Sequence, residues 1–181
     1  QMQAYVLNTR REKFSDPRVR HALLLAFNFE EMNRTLFHGQ YKRTGSFFQN
    51  TELAATGLPG EDELAVLEPL RDKLPPEVFT EEYALPDYSA PNAERVYLRQ
   101  AFDLLRDAGY ERRGSDLVNA ATGDVLSIEF LGDDPNDSRI LEPYANQLRR
   151  LGIRATVRIV DASQYQACLL YTSPSPRDQR G

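Results

Sequence analysis

The feature that most constrains the fold is a pair of alternating segments separated by a helical pattern. Apolar and polar residues alternate over residues 126–130 and again over residues 153–159, and a period of two is typical of half-buried strands. Between them, apolar residues recur at helical spacing until Gly152. Strands joined through a helix pair in parallel by a right-handed crossover. The pattern therefore predicts an α/β chain in which flanking helices cover a small mixed sheet.

Capping signals predict two helices near the N-terminus, after a short strand at residues 5–7. Asp16 can cap the first helix and Pro17 suits its first position. Apolar residues at positions 19, 22, 23, 26 and 27 then share one helical face. Asn28 can cap the second helix, which we expect to end at Gly39.

Further along the chain, leucines at positions 64, 67, 70 and 74 predict a helix that ends at two prolines, and residues 75–92 are expected to be extended. Residues 93–108 form a helical pattern that ends at Gly109. The turn-forming residues 122–124 predict a hairpin between residues 117–118 and 125–131. Asp161 and Gln164 have the spacing of a capping box, which predicts one more helix start.

Residues 40–60 have no regular period but are rich in aromatic and hydrogen-bonding side chains. Long loops inside compact domains are often functional. Aromatic rings offer flat apolar contact area, and a few polar groups can orient a ligand. The candidate ligand-binding residues are Arg43, Ser46, Phe47, Phe48 and Asn50. The alternative is that the two phenylalanines fill the core of a lobe.

Residues that carry catalysis or bind metals are sparse. His21 and His38 are the two histidines, and Cys168 is the single cysteine. Metal sites need clustered ligands, and nucleophilic catalysis needs a base beside the nucleophile. We therefore predict no catalytic residue, no metal site and no cofactor. The acidic groups at 61–63, 81–82 and 133–134 fit solvated helix starts and loops.

The net charge of the chain is −5, which argues against nucleic acid as a partner.

Several segments together resemble a known family. Residues 8–11, 14–23 and 26–30 resemble the entry to the C-terminal lobe of dipeptide- and oligopeptide-binding solute receptors. The specific part is the pattern Phe-x-Asp-x-Arg-Val-Arg-x-Ala that begins at Phe14. Asn28 departs from the Asp that is usual in the family, although either residue can cap a helix. Segments within residues 33–59, 74–79, 101–110 and 164–166 are similar to Yej-type oligopeptide and microcin C receptors.

The resemblance implies one lobe of a class II periplasmic-binding-protein fold, a two-lobe clamp that closes on its ligand. On this interpretation residues 1–167 are part of the second lobe, and the strand predicted within residues 3–9 lies close to the hinge. The implied receptor captures a peptide or peptide-like compound and delivers it to ABC permease subunits in the membrane. It is expected to be periplasmic, with a signal peptide in the missing N-terminal part, and monomeric when full length.

Two alternatives to an import receptor remain open from the sequence. A sensor or regulatory binding module of the same fold is one. A hydrolase that uses paired Asp or Glu residues is the other, and the lack of a nucleophile–base arrangement counts against it. Within the wider family, nickel and sugars are alternative ligands.

Residues 168–181 differ in character from the rest of the chain. The run from Cys168 to Asp178 shows no helical or strand period, and two Ser-Pro steps disfavour regular structure. Translated back to DNA, the run resembles one frame of a transposase-based sequencing adapter. We interpret residues 168–181 as a non-native, adapter-derived tail that interrupts the helix starting at Asp161. A native Ser/Pro-rich tail is the alternative.

This interpretation predicts that the source genome diverges from the present sequence at codon 168. Resequencing genomic DNA across that codon, without a transposase-based library, measures it directly. A clean genomic read that encodes Cys-Leu-Leu-Tyr-Thr-Ser from position 168 onwards would contradict the interpretation.

Overall fold

The computed structural model describes residues 4–172. Their contacts divide them into two units. The core unit comprises residues 4–41 and 87–172, and the loop unit comprises residues 42–86. In chain order the elements are α1 (Glu12–Ser15), α2 (Pro17–Leu25), α3 (Phe29–Thr35), α4 (Glu61–Leu67), a 3-10 helix (Glu68–Lys73), α5 (Glu77–Thr80), α6 (Ala93–Asp107), β1 (Tyr110–Arg113), β2 (Asp116–Asn119), β3 (Ser127–Gly132), α7 (Asp137–Arg150), β4 (Arg154–Ile159) and α8 (Ala162–Thr172).

Helices α2 and α3 begin where the sequence predicts. The Asp16 carboxylate accepts a hydrogen bond from the Arg18 backbone N–H at 2.8 Å, and Pro17 opens α2. Asn28 Oδ1 accepts from the Glu31 N–H at 3.0 Å and so caps α3. Both side chains satisfy amides that a helix start leaves without a partner. Helix α3 ends at Thr35, before the predicted end at Gly39, which has φ of +75° in the following turn.

The pattern that begins at Phe14 is structural throughout. Phe14, Val19 and Ala22 are buried. Arg18 Nη1 donates to the carbonyl of Asp107 at 2.6 Å, at the last residue of α6. Arg20 Nη1 donates to the carbonyls of Phe14 and Ser15 at 2.7 Å each, where α1 ends. The motif therefore joins α1, α2 and the end of α6.

Helices α2 and α6 pack against each other. The apolar face predicted for α2 is confirmed, because Val19, Ala22, Leu23 and Ala26 are buried. Other core residues come from α6, from α7 and from the strands. The core cluster includes Ala101, Leu105, Leu117, Ile128, Phe130, Leu141, Tyr144, Ala145, Leu148, Ile153 and Ala155. Burying these side chains supplies the main stabilisation of the core unit.

The strand–helix–strand prediction is confirmed. Strand β3 pairs in parallel with β4, from Ser127 opposite Arg154 to Gly132 opposite Ile159, and α7 packs on β4. Gly152 lies between α7 and β4 with φ of +93°. A Cβ atom there would lie 3.1 Å from both Leu117 N and Ser115 O. Glycine is therefore favoured at the turn into β4, because it adopts a positive φ readily and has no Cβ atom that would crowd these backbone atoms.

The predicted hairpin is confirmed in part. Its arms meet in one antiparallel bridge, between Val118 and Val125, and the Leu126 N–H donates to the Leu117 carbonyl at 2.8 Å. The longer hairpin of the structure, which the sequence did not predict, joins β1 to β2. The mixed sheet therefore takes the form of two two-stranded pairs, one antiparallel and one parallel.

The predicted strand at residues 5–7 is wrong, because these residues form neither helix nor strand. Their conformation is explained by aromatic packing in place of strand pairing. The Tyr5 ring lies about 6 Å, centroid to centroid, from the rings of Phe27, Phe130 and Tyr144. Burial, with a smaller contribution from the charge of Asp137, raises the pKa of Tyr5 to about 12.

Two tyrosine hydroxyls bind the C-terminal end of α2. Tyr144 Oη donates to the Leu23 carbonyl at 2.7 Å, and Tyr88 Oη donates to the Leu25 carbonyl. The last carbonyls of a helix have no partner within the helix. Helix α2 is therefore fixed at its C-terminal end by side chains from other segments, and at its start by Asp16 and by its own arginines.

The loop unit contains little buried apolar surface. Within residues 42–86, Pro86 is the one buried residue. The helix predicted from the leucine spacing is split into α4 and the 3-10 helix, and Leu70 is 41% exposed. Residues 75–92 are not extended throughout, because Glu77–Thr80 forms α5. The spacing predicted helical turns correctly, but no facing element buries the leucines.

Helix α8 runs through the position where the sequence suggested an interruption. The Asp161 carboxylate accepts from the Gln164 N–H at 2.9 Å, as predicted for a helix start. The helix then continues to Thr172, so the expectation of no regular structure after residue 167 is wrong for residues 168–172. The two leucines of this stretch have high helix propensity. Residues 173–178 lie outside the described part of the chain.

No helix within residues 4–172 combines the length and the apolar character that crossing a membrane requires.

Asp16 both caps α2 and pairs with the Arg18 side chain, and two substitutions distinguish these roles. The hydrogen bond from the Arg18 side chain holds the pKa of Asp16 below its usual range. Asp16→Asn keeps a capping oxygen but loses the charge pair, whereas Asp16→Ala loses both. We expect Asp16→Ala to lower the free energy of unfolding by about 1 kcal/mol more than Asp16→Asn, as measured by urea denaturation.

The same variants test how much the Asp16–Arg18 charge pair contributes to stability, because that contribution depends on pH. A lowered carboxyl pKa stabilises the folded state above the usual Asp pKa, and this stabilisation disappears as the pH falls through the folded-state pKa. The difference in stability between the unchanged chain and Asp16→Asn should therefore shrink below a pH of about 4. Asp133→Ala, at an exposed position, is the control. A stability difference between the unchanged chain and Asp16→Asn that stays constant with pH would argue against a contribution from the charge pair.

Candidate ligand-binding loop

The candidate site lies on residues 42–60 of the loop unit. The segment contains no helix and no strand, as predicted, and α4 begins directly after it at Glu61. Its charged side chains are Lys42, Arg43 and Glu52. The shape of the segment must therefore come from turns and from side chains that bind its own backbone.

Ser46 organises the middle of this loop. Its hydroxyl oxygen accepts hydrogen bonds from the Phe48 N–H at 3.2 Å and the Ala55 N–H at 3.1 Å. The second of these bonds spans nine residues and closes the loop. Thr51 Oγ1 donates to the Phe48 carbonyl at 2.7 Å, and Gln49 Oε1 accepts from the Gly45 N–H at 3.1 Å. Serine, threonine and amide side chains suit turns because they replace missing backbone partners.

Phe47 and Phe48 lie on the outside of the loop. Phe47 is 85% exposed and Phe48 is 56% exposed. The alternative that these rings fill a lobe core is therefore wrong within the described residues. Leu53 and Leu58, also in this segment, are exposed as well. Scattered exposed apolar residues are ordinary, but two adjacent exposed phenylalanines form a continuous apolar patch on the loop.

Arg43 and Asn50 have different surroundings. Arg43 is half-buried, and its Nη1 donates to the Pro86 carbonyl at 2.7 Å. This bond ties the start of the loop to the end of the loop unit. Asn50 is exposed and has φ of +68°, in the left-handed region where asparagine is more common than other residues with a Cβ. Its amide is therefore presented on the same turn that follows the two phenylalanines.

The structure thus divides the five candidate residues into two groups. Ser46 and Arg43 hold the backbone of the loop, whereas Phe47, Phe48 and Asn50 present their side chains. The sequence interpretation did not assign roles to Gln49 and Thr51, which also shape the loop. The only sign of these roles in the sequence is that Gln49 and Thr51 lie in a run rich in turn-forming residues. Chemically, the exposed group offers ring faces and one amide, which suits contact with a ligand of mixed polarity.

The histidines and acidic groups singled out in the sequence do not come together as a metal site in the described residues. Within residues 4–172, no three His, Cys, Asp or Glu side chains cluster in a way that could hold a metal ion. His21 and His38 are exposed. Glu63, from the first acidic group, accepts a hydrogen bond from the Gly60 N–H at 2.9 Å at the start of α4. Asp134 accepts from the Asn136 N–H at 2.8 Å, just before α7. These carboxylates therefore have the helix-start and loop roles that the sequence analysis favoured.

Comparison with known proteins identifies the family. The family model of bacterial extracellular solute-binding proteins, family 5 Middle, matches residues 1–173. The chain belongs to this family. The match covers the candidate loop, the motif that begins at Phe14 and the strand–helix–strand unit.

Two curated relatives and one solved structure illustrate the likeness. The probable peptide-binding protein YejA of Agrobacterium fabrum (strain C58 / ATCC 33970) is 53% identical over 164 residues, which are 91% of this chain and 27% of the relative. The peptidoglycan-binding protein YepA of the same strain is 37% identical over 163 residues, 90% of this chain and 26% of the relative. The oligopeptide-binding protein AppA from Bacillus subtilis, solved with a nonapeptide, superposes with a TM-score of 0.57 at 21% identity, over 88% of this chain and 26% of AppA.

These comparisons confirm the predicted fold class, part of a two-lobe periplasmic-binding-protein fold. At 21% identity the likeness to AppA concerns the fold alone. The chain spans about a quarter of the length of the curated relatives that it matches.

The role of Ser46 is directly testable. Ser46→Ala removes the acceptor of two backbone amides, and each lost bond is worth about 1 kcal/mol. We therefore expect amide hydrogen exchange at Phe48 and Ala55 to accelerate by roughly a factor of five to ten, as measured by NMR or mass spectrometry. Ser46→Thr retains the hydroxyl and serves as the matched control. Equal exchange rates in the alanine variant and the unchanged chain would show that the loop does not depend on this side chain.

Proposed function

We propose that the protein to which this chain belongs is an extracytoplasmic solute-binding protein that captures peptides or peptide-like compounds for an ABC importer. The observation that carries the proposal is the 53% identity to a probable peptide-binding protein over 91% of this chain. Identity at this level, over a segment that includes the candidate loop, supports a shared ligand class. Membership of a solute-binding family argues for capture and delivery of a ligand, and against catalysis.

The proposed ligand site is the loop that carries Arg43, Ser46, Phe47, Phe48 and Asn50. In this proposal Phe47 and Phe48 pack against apolar side chains of the ligand, and Asn50 hydrogen-bonds to its backbone. Peptides offer both kinds of group at regular intervals. Ser46 and Arg43 contribute by holding the loop in its closed form, so that less conformational entropy is lost on binding.

The remaining partners follow from the same proposal. The receptor delivers its ligand to ABC permease subunits in the membrane, works in the periplasm and acts as a monomer. Residues 1–167 would supply part of the second lobe of the clamp. Genes for permease and ATPase subunits beside this gene would support import, whereas a fused regulatory domain would favour a sensor.

A second ligand within the same class is a peptide derived from peptidoglycan. The observation that favours it is the 37% identity to the peptidoglycan-binding protein YepA. Such peptides keep an amide backbone, so the loop would use the same contacts. Ligand titrations must therefore include both ordinary oligopeptides and cell-wall peptides.

Calorimetric titration of the full-length protein with an oligopeptide library, a microcin-like peptide and cell-wall peptides tests the proposal. We expect at least one peptide to bind, and we expect Phe47→Ala and Phe48→Ala to weaken that binding by about tenfold each, because an exposed ring that becomes buried contributes over 1 kcal/mol. Leu58→Ala, at a residue 51% exposed in the same segment, is the control. No heat with any peptide would overturn the ligand class. Unchanged affinity in both phenylalanine variants would overturn the site alone.

The isolated segment gives an independent check. A clamp binds between two lobes, so residues 1–167 alone should bind the same peptide weakly or not at all. Titration of this segment beside the full-length protein measures the difference. Micromolar affinity of the segment by itself would contradict the two-lobe mechanism.

A further inference from the structure

A groove on the core unit combines an apolar floor with a cationic rim. It has a volume of about 310 Å³ and is lined by residues of α6, β1 and the end of α7. We call it the arginine-rimmed groove. Its lining residues are Leu98, Arg99, Phe102, Arg112, Arg150 and Leu151.

The floor of the groove is apolar. Leu151 is buried, and Leu98 and Phe102 are half-buried and pack against the core. On α6, Leu98 and Phe102 are four residues apart and therefore lie on one face of the helix. Arg99 and Arg112 are exposed. A side chain that entered the groove would meet apolar atoms below and guanidinium groups beside it.

The positive charges of the rim are only partly neutralised. Arg150 pairs with Glu94, which lowers the pKa of that carboxyl. Arg112 Nη2 donates to the Arg150 carbonyl at 2.8 Å. Because this acceptor is uncharged, the bond does not neutralise the charge of Arg112. Asp103, one turn beyond Arg99, pairs with Arg106 at 3.0 Å. Among the described residues Arg99 has no hydrogen-bond or ion-pair partner. The groove is therefore locally cationic on a chain whose net charge is −5.

We propose that the arginine-rimmed groove docks a short acidic polypeptide segment that carries an apolar side chain. Complementary charge would steer such a segment to the groove, and the apolar side chain would reach the floor. An inorganic anion would leave the floor unused. A flat membrane surface could contact the arginines, but it could not reach apolar residues that are buried or half-buried. This inference rests on the proposed function, which makes ABC permease subunits the partners, and the acidic segment belongs to one of these subunits.

The test measures binding of the full-length protein to the importer's membrane complex in nanodiscs of zwitterionic lipid. We expect Arg99→Glu to weaken binding by about tenfold at low ionic strength, since reversal of a rim charge mainly slows association. The loss should shrink at about 0.5 M salt, where exposed charges are screened. Arg99→Gln should give an intermediate loss. Peptide affinity, measured by calorimetry, should not change in either variant.

Arg139→Glu is the matched control. Arg139 is exposed near the start of α7, which places it roughly 16 Å along the helix from Arg150, and its substitution changes the net charge equally. Nanodisc binding that Arg99→Glu leaves intact, or that both variants weaken equally, would overturn the inference. Arg99-dependent binding to vesicles of anionic lipid, with nanodisc binding unchanged, would assign the groove to the membrane and would also overturn it. Failure of the proposed function would appear separately, as the absence of peptide binding.

Discussion

The core unit depends on how α2 is held. Asp16 caps its first turn, Arg18 binds the last carbonyl of α6, and Arg20 binds the two carbonyls where α1 ends. Tyrosine hydroxyls bind carbonyls near its C-terminal end. A helix fixed in this way presents one apolar face in a constant orientation. The packing of α6 on α2 requires that orientation, because close-packed cores tolerate little displacement.

The two units obtain their shape from different forces. In the core unit, aliphatic side chains from helices and strands are buried together, as expected for a structure stabilised mainly by the hydrophobic effect. In the loop unit, hydrogen bonds of Ser46 and Arg43 and contacts such as that of Arg71 with the Phe79 ring, at 3.9 Å, fix the backbone locally. Apolar rings consequently stay at the surface of this unit. In the proposed function, ligand contact by exposed rings and rigid support by a buried core therefore belong to separate parts of the chain.

Predictions from the sequence succeeded where the signal was local. Asp16 and Asn28 cap helices as expected, and Gly109 and Gly152 adopt positive φ values after helices. Predictions that required a pairing partner were less successful. Alternation identified β3 and β4 correctly, but the pairing of β1 with β2 was not predicted. The segment around Tyr5 has strand-like composition, yet aromatic contacts with Phe27 and Tyr144 determine its conformation.

The sequence by itself determined the helix starts at Asp16, Asn28 and Asp161, the parallel strand–helix–strand unit, the family and the position of the candidate loop, because caps, periodicity and motifs act over a few residues. Only the tertiary structure decided that Phe47 and Phe48 are exposed, that Ser46 closes the loop on Ala55, and that Arg18 reaches Asp107. These features depend on which distant segments meet. Burial and long-range hydrogen bonds are properties of the packed chain, and no local pattern of residue types specifies them.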